Sequence, residues 1–393
     1  MNMQNSLVEF SNTEVAFAHM SNAGLSKARL LFRSFNFPGL LTLGPPMASV
    51  AIALGFKNLI KNTIFEQFCG GEDIETCKKT IDRLAASRIG TILDYSVEGE
   101  ESEDNFNATC AEILKTIVAA AGNSHIPFSV FKTTGIIRFA LLEKMSKHAS
   151  LSEQEKEEWQ RGVDRFNKIC SYAEEKQVRI FVDAEESWIQ DAIDRLTEEA
   201  ARRHNTKSAI VFNTIQLYRH DRLEYLKSQI VDATWFLGFK LVRGAYMEKE
   251  RKRAVEMGYQ DPIQPDKAAS DRDYNEALKH CVHHIEKVSI CAGTHNENSS
   301  RYLMELMEEK QLKRSDERIW FSQLLGMSDH ISYNLSNAGY NVCKYVPYGP
   351  VKAVIPYLTR RASENSSVAG QMGRELSLIE TEIKRRKIAG VKA

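Results

Sequence analysis

The chain has no excess of charge of either sign: 52 Lys and Arg stand against 52 Asp and Glu in 393 residues, a formal net charge of zero. Without a basic patch or a block of like charges, nucleic acid is not an expected partner and no charged tail is indicated. The N-terminus lacks a basic stretch followed by an apolar core, so no secretory signal is read there. No apolar run reaches the roughly 20 residues that a membrane-spanning helix needs. The run Met47 to Phe56 is shorter, follows the turn signal Gly44-Pro45-Pro46, and reads as a buried or surface-lying helix. The seven cysteines (Cys69, Cys77, Cys110, Cys170, Cys281, Cys291, Cys343) are scattered and never form a C-x-x-C pair. That suits a reducing compartment and disfavours a structural zinc site. No G-x-G-x-x-G follows a strand and no G-x-x-x-x-G-K-S/T occurs, so a Rossmann dinucleotide site and a P-loop are not expected.

What is present is globular composition, 43% hydrophobic and 26% charged, in a chain long enough for a large core. Residues 1–88 read as a helical arm. Lys57 to Phe68 and Ile74 to Ala86 carry apolar residues at helical spacing, Gly70-Gly71 breaks the two, and Asp73 is placed to cap the second. From residue 89 the pattern changes and repeats. Strands are expected at 90–95, 127–133, 178–183, 208–213, 236–242, 288–292, 318–322 and 342–346, with helical segments between them. Eight short apolar strands alternating with helices predict an α/β fold, a parallel (βα)8 barrel over residues 89–393. An open doubly wound sheet is the alternative.

The last strand leads through Pro347-Tyr348-Gly349-Pro350, a turn signal, into a helix ending near Asn365. Pro350 fits the first helical position and Pro356 kinks the first turns. Tyr357, Arg360, Arg361 and Glu364 are three and four apart and share a face. Two guanidinium groups beside a carboxylate suit a small zwitterion, because the planar fork bonds both carboxylate oxygens. The same Arg360–Glu364 spacing is also common solvated decoration.

Barrel active sites lie at the C-terminal strand ends. Those positions hold Asp94, Lys132, Asp183 with Glu185 and Glu186, Gln216, Arg243 with Tyr246, Thr294-His295-Asn296, Gln323 with Leu324, and Tyr345. Some of this ring will be layer-filling, loop hydrogen bonds, or helix caps such as Ser187. Lys132 suits either a Schiff-base nucleophile or a cation for a substrate acid. Asp183-Ala184-Glu185-Glu186 suits a bound cation or a helix start favoured by its dipole. His295 has no H-E-x-x-H partner, and His280, His283 and His284 read as surface residues of a helix, so no metal is expected.

Four blocks in order carry a resemblance: Phe181-Val182-Asp183-Ala184-Glu185-Glu186, Lys240-Leu241-Val242-Arg243-Gly244-Ala245-Tyr246, Ala292-Gly293-Thr294-His295-Asn296, and Tyr357 to Asn365. From about Phe68 to Asn365 the chain resembles proline dehydrogenase, in the monofunctional form because it stops soon after the barrel. The resemblance implies a distorted TIM barrel holding non-covalent FAD, with the last helix over the barrel mouth. It implies oxidation of L-proline to 1-pyrroline-5-carboxylate by hydride transfer from C5 to flavin N5, with electrons passed to a membrane quinone. The expected location is the cytoplasm, peripheral on the inner membrane through Met47 to Phe56, or the matrix side in a mitochondrion. Carried over by motif, Arg360, Arg361 and Lys132 hold the proline carboxylate, and Glu364 completes the polar face near the amine. Tyr246, Leu324 and Tyr345 shape the pocket around the ring. Asp183, Gln216, Val242, Arg243, Gly244, Ala245, Thr294, His295 and Asn296 contact the flavin.

One departure concerns Lys240 and Arg243: many bacterial members carry these two cations exchanged, which leaves open which stands at flavin N5. Tyr345 is expected against C4 of the proline ring, where relatives preferring hydroxyproline carry a smaller residue. Proline is therefore expected over trans-4-hydroxyproline. Other readings stay open: a hydroxyproline-oxidising relative, a cofactor-free lyase or aldolase using Lys132 as a Schiff base, and a silent barrel that binds an amino acid or a partner.

Overall fold

A computed structural model describes residues 8–34, 65–96, 101–351, 353–354 and 371–390. Eight strands close a barrel in chain order. They are β1 (Ile89–Tyr95), β2 (Phe128–Lys132), β3 (Arg179–Asp183), β4 (Val211–Gln216), β5 (Leu237–Val242), β6 (Val288–Gly293), β7 (Ile319–Leu324) and β8 (Val342–Tyr348). The pairing is parallel, with Lys132 opposite Asp183, Gln216 opposite Val242, and Ile92 opposite Tyr345. The strands are buried along most of their length, as expected when helices cover one face and side chains fill the other.

The chain forms two compact units, residues 99–322 and residues 1–98 with 323–393. In the first unit β2 to β6 and most of β7 alternate with helices. These are α5 (Glu103–Ala120), α6 (Phe139–Ser146), α7 (Glu153–Glu175), α8 (Ser187–His204), α9 (Arg222–Asp232), α10 (Met247–Met257), α11 (Lys267–His283) and α12 (Glu297–Glu309). Among the described residues they follow four helices of the other unit: α1 (Thr13–Ala16), α2 (Asn22–Ser34), α3 (Glu66–Phe68) and α4 (Ile74–Ala85). The N-terminal end of this unit's sheet is closed by aromatic rings. Phe128 stacks on Phe181 at 4.4 Å and meets Phe212 and Trp320 edge-on at 5.6 and 5.4 Å. The Arg179 guanidinium lies over Phe128 and Trp320. Residues two and four further along the same strand faces are polar: Lys132, Asp183, Thr214 and Gln216. The interior therefore runs from aromatic at one end to charged at the other.

The second unit holds β1, β8, the end of β7, helix α13 (Asp329–Asn337) and helix α14 (Gln371–Ile388). Its core joins α2, α3 and α14 through Phe17, Leu25, Phe32, Phe68, Leu378 and Ile379. Arg386 of α14 donates to the carbonyls of Phe17 and Met20, each at 2.7 Å, and its Nε bonds buried Glu382. Lys344, fully buried on β8, donates to the Met327 carbonyl at 2.5 Å and to Asp329 Oδ1 at 2.8 Å. Lys344 thus faces α13, and its neighbour Tyr345 lies on the opposite strand face. All seven cysteines are buried, and burial pushes the Cys77 thiol up to about 12.

Several expectations change in detail. β4 begins at Val211, not Ser208, because Asn205 accepts from the Ile210 and Val211 N–H groups and holds the run-up outside the ladder. It continues to Gln216 because side-chain donors in it find acceptors: Asn213 Nδ2 donates to Asp194 at 3.0 Å and Thr214 Oγ1 to the Val182 carbonyl at 2.8 Å. β8 runs through Pro347 and Tyr348, which the sequence reading gave to a turn. The Pro347 carbonyl accepts from Gly70 N–H at 2.8 Å and Gly71 bridges Tyr348, so the glycine pair docks there. A Cβ on Gly70 would strike Val346. Pro350 precedes the helical turn instead of occupying its first position, and its carbonyl accepts from Ala353 and Val354. Asp73 caps α4 as expected, in a reciprocal box with Thr76. Ser187 does not cap α8; it is the first residue of that helix, and Glu186 takes the cap position. Tyr357, Arg360, Arg361 and Glu364, the kink at Pro356, the helix over the barrel mouth, and Met47 to Phe56 all lie outside the described residues. Among the described residues no helix is long and apolar enough to cross a membrane.

Candidate active site

The predicted site residues within 99–322 gather at the polar end of the strands. Asp183 ends β3, and both of its oxygens are bonded. Lys132 Nζ, at the end of β2, donates to Oδ2 at 2.9 Å, and Lys240 Nζ, from β5, donates to Oδ1. Burial alone would raise the Asp183 carboxyl, but Lys132 and Lys240 override it and hold it well below the usual carboxylate range. Lys240 is buried and lies 5.4 Å from the centre of the Phe181 ring; Lys132 is about a third exposed. Two cations on one carboxylate leave a net positive centre, suited to an anionic ligand.

Glu185 follows two residues later and behaves differently. Its carboxylate accepts from the Thr134 N–H at 3.0 Å and Thr134 Oγ1 at 2.5 Å. Burial pushes it up to about 7, with Lys132 and the Thr134 bonds opposing and Glu186 adding to the rise. Two carboxylates in one loop are thus set apart, Asp183 firmly ionised and Glu185 titrating near neutrality.

Arg243, just past β5, donates to Asp271 at 2.6 Å, Thr294 Oγ1 at 2.8 Å and Ser299 Oγ at 3.0 Å. Its guanidinium lies 4.4 Å from the centre of the Tyr274 ring. Thr294 Oγ1 also accepts from the Asn296 N–H, and Asn296 Oδ1 caps α12 by accepting from Asn298 and Ser299. Half-buried His295 sits between them. Val242 ends β5, and Gly244 has φ +141°, a conformation L side chains rarely adopt, with the Tyr218 ring where a Cβ would stand. Ala245 and Tyr246 are half-buried, and Tyr246 takes the N-cap position of α10. Gln216, at the end of β4, is buried with Oε1 unpartnered among the described residues.

An orphaned buried acceptor on Gln216, a glycine turn, and the positive charge of Lys240 and Arg243 fit a cofactor such as FAD, whose ring edge offers both donors and acceptors. In the other unit Leu324 ends β7 and Tyr345, on β8, is buried with its carbonyl accepting from Leu325 N–H at 2.9 Å. Sequence reading did not find Thr134, Asp271 or Ser299 as members of this region. Their partners lie tens of residues away, and no local spacing marks them.

A family model described as "Proline dehydrogenase" matches residues 77–374. Mitochondrial proline dehydrogenase 1 of Homo sapiens is 42% identical over 245 residues, which cover 61% of this chain and 41% of that protein. Hydroxyproline dehydrogenase of Xenopus laevis is 30% identical over 412 residues, covering 94% of this chain and 88% of that protein. The chain thus spans about two fifths of the human relative. Among solved structures, proline utilization A from Bdellovibrio bacteriovorus, inactivated by N-propargylglycine, matches with a TM-score of 0.71 at 19% identity. That match covers 93% of this chain and 38% of that one, and shows the shared barrel fold.

Proposed function

The chain belongs to the proline dehydrogenase family, a family of oxidoreductases, and from that premise we propose that it oxidises L-proline to 1-pyrroline-5-carboxylate using non-covalent FAD, with a membrane quinone as final acceptor. The observation that carries this reading is the Lys132–Asp183–Lys240 cluster, in which Asp183 and Lys240 stand on motifs of the family, together with the unpartnered Gln216 oxygen at the end of β4. In this reading residues 89–393 are the catalytic barrel and 1–88 a helical arm. Bound FAD would supply the acceptor for hydride from proline C5.

The chain's own residues bind, orient and set protonation. By the resemblance, the roles proposed are the substrate carboxylate for Lys132, Arg360 and Arg361, the amine for Glu364, and the ring for Tyr246, Leu324 and Tyr345. Fixing the remote carboxylate orients the reacting carbon. Gln216, Asp183, Val242, Arg243, Gly244, Ala245, Thr294, His295 and Asn296 border the cofactor. Of the two exchanged cations, we assign Lys240 to the reacting ring. It shares one carboxylate with Lys132, whereas Arg243 is committed to Asp271, Thr294 and Ser299. The substrate amine must be unprotonated for C–N oxidation, so activity should rise above neutral pH.

The test is the visible spectrum of purified protein. Flavin absorbance that proline bleaches under anaerobic conditions supports the proposal. A colourless protein trapped by borohydride with a carbonyl substrate would replace it with Schiff-base chemistry at Lys132. A second reading, oxidation of hydroxyproline, is favoured by the end-to-end likeness to the Xenopus protein. The bulk of Tyr345 argues against it, and specificity constants for the two substrates decide.

A further inference from the structure

Helix α10 is not held by a hydrophobic face. Its sequence MEKERKRAVEM has seven charged residues in eleven, and only Glu250 and Ala254 are buried. Val255 and Met257 are 84% and 60% exposed. A single buried alanine methyl supplies little apolar stabilisation, so polar contacts must place this helix.

The main one is Glu250, which is fully buried. Its carboxylate accepts from the Ser187 N–H at 2.6 Å and from Ser187 Oγ at 2.5 Å. Ser187 opens α8, where the N–H groups have no partner within the helix and the dipole favours an anion. The other contacts are more exposed and weaker: Lys249 pairs with Glu186, Arg251 pairs with Asp261 and donates to the Gln264 carbonyl at 3.1 Å, and Arg253 lies over Trp188 at 4.3 Å and bonds Glu143 at 2.5 Å. Ser187 stands four residues after Asp183, and Glu250 four after Tyr246. Glu250 N–H also donates to the Tyr246 carbonyl at 2.9 Å, so the carboxylate and Tyr246 share one helical turn.

We propose that Glu250 is a positioning residue: by clasping Ser187 it fixes Tyr246 and the Arg243–Ala245 turn relative to the Asp183 cluster. The proposal rests on the proline-oxidising reading of that site. Neither Glu250 nor Ser187 touches substrate or cofactor in that reading.

The test uses the flavin-loaded full chain. Glu250→Gln keeps size but replaces both charge-assisted bonds by neutral ones: its carbonyl accepts from the Ser187 N–H, and its NH2 donates to Ser187 Oγ, whose own O–H must turn away. It should lower kcat/KM for proline by roughly tenfold, mainly through KM, since small misplacements of orienting groups cost this much or more. Flavin content should stay near wild type. Ser187→Ala, which keeps the backbone donor, should fall between, and adding it to Glu250→Gln should cost little more. Ser187→Thr should restore most of the loss. Amide exchange across residues 243–257 should quicken in Glu250→Gln while β3 is unchanged. Wild-type kcat/KM in Glu250→Gln, or additive losses in the double variant, would overturn the clasp. So would parallel loss of flavin, kcat and thermal stability with KM unchanged, the mark of a merely structural role. Should Glu250→Gln not fold, the Ser187→Ala and Ser187→Thr pair decides alone. A wild-type protein that oxidises no proline removes the functional reading, and the exchange comparison still decides the clasp.

Discussion

Asp183→Asn removes the one anion that Lys132 and Lys240 share. Removing one member of a buried, hydrogen-bonded ion group costs about 3–5 kcal/mol, because the partner charge stays buried and unpaired. With an unfolding entropy of about 2.1 cal/mol/K per residue, a loss of about 4 kcal/mol in a chain of 393 residues lowers Tm by about 5 °C. The two lysines are not equivalent. The Lys240 side chain is 8% exposed and that of Lys132 32%. Lys132→Met should therefore cost about 1 kcal/mol or less after solvent screening, and Lys240→Met considerably more. The sharper expectation concerns the double variant. Asp183→Asn with Lys240→Met removes the stranded buried cation, so it should be more stable than Asp183→Asn alone. Thermal unfolding followed by circular dichroism at neutral pH gives all four comparisons. A double variant less stable than Asp183→Asn would refute the electrostatic account and make Lys240 a packing residue. The acid limb supplies a check with a definite sign. A carboxyl held below its unfolded value contributes stability above the ordinary carboxylate range and loses it as pH falls through its folded value. Asp183→Asn should therefore flatten the acid limb.

Three further outcomes are expected. Glu185, pushed up to about 7 from an ordinary 4.5, binds its proton more tightly folded than unfolded, so its contribution is full below 4.5 and lost as pH rises through about 7. Thermal unfolding should then show Glu185→Gln gaining on wild type between about pH 5 and pH 8, by up to about 3 kcal/mol; an unchanged difference would contradict it. Gly244→Ala should cost about 1–3 kcal/mol from the positive φ, plus displacement of the Tyr218 ring, and should lower flavin absorbance per protein; full flavin content with unchanged Tm would show that the turn tolerates a side chain. Tyr345→Ser should weaken proline binding and narrow the preference for proline over trans-4-hydroxyproline, read as the ratio of specificity constants. An unchanged ratio in folded, flavin-loaded enzyme would make Tyr345 a packing residue only.

The barrel was legible because each strand is a short apolar run bounded by turn residues, and only its ends misled. β4 was misplaced because Asn213 and Thr214 look like a strand's end, while Asp194 and the Val182 carbonyl accept from their side chains within the fold. β8 was cut short because Pro347 reads as a turn, although its carbonyl receives Gly70 from a distant segment. Asp183, Lys132 and Lys240 were each visible as polar residues on apolar strands, but their sharing of one carboxylate depends on the closure of the sheet. Thr134, Asp271 and Ser299 had no signal at all, being ordinary loop and helix residues until Glu185 and Arg243 reach them. Glu250 lay hidden in a run of charges that reads as a solvated helix.

The seven buried thiols act together as a clock. Three (Cys69, Cys77, Cys343) belong to one compact unit and four (Cys110, Cys170, Cys281, Cys291) to the other. Burial keeps Cys69, Cys77, Cys170 and Cys281 protonated at any ordinary pH, so a thiolate-seeking reagent finds no reactive form of them in the closed protein. Each modification must then await an opening of the segment that holds it, and the order in which the seven are modified records which part of the molecule comes apart first.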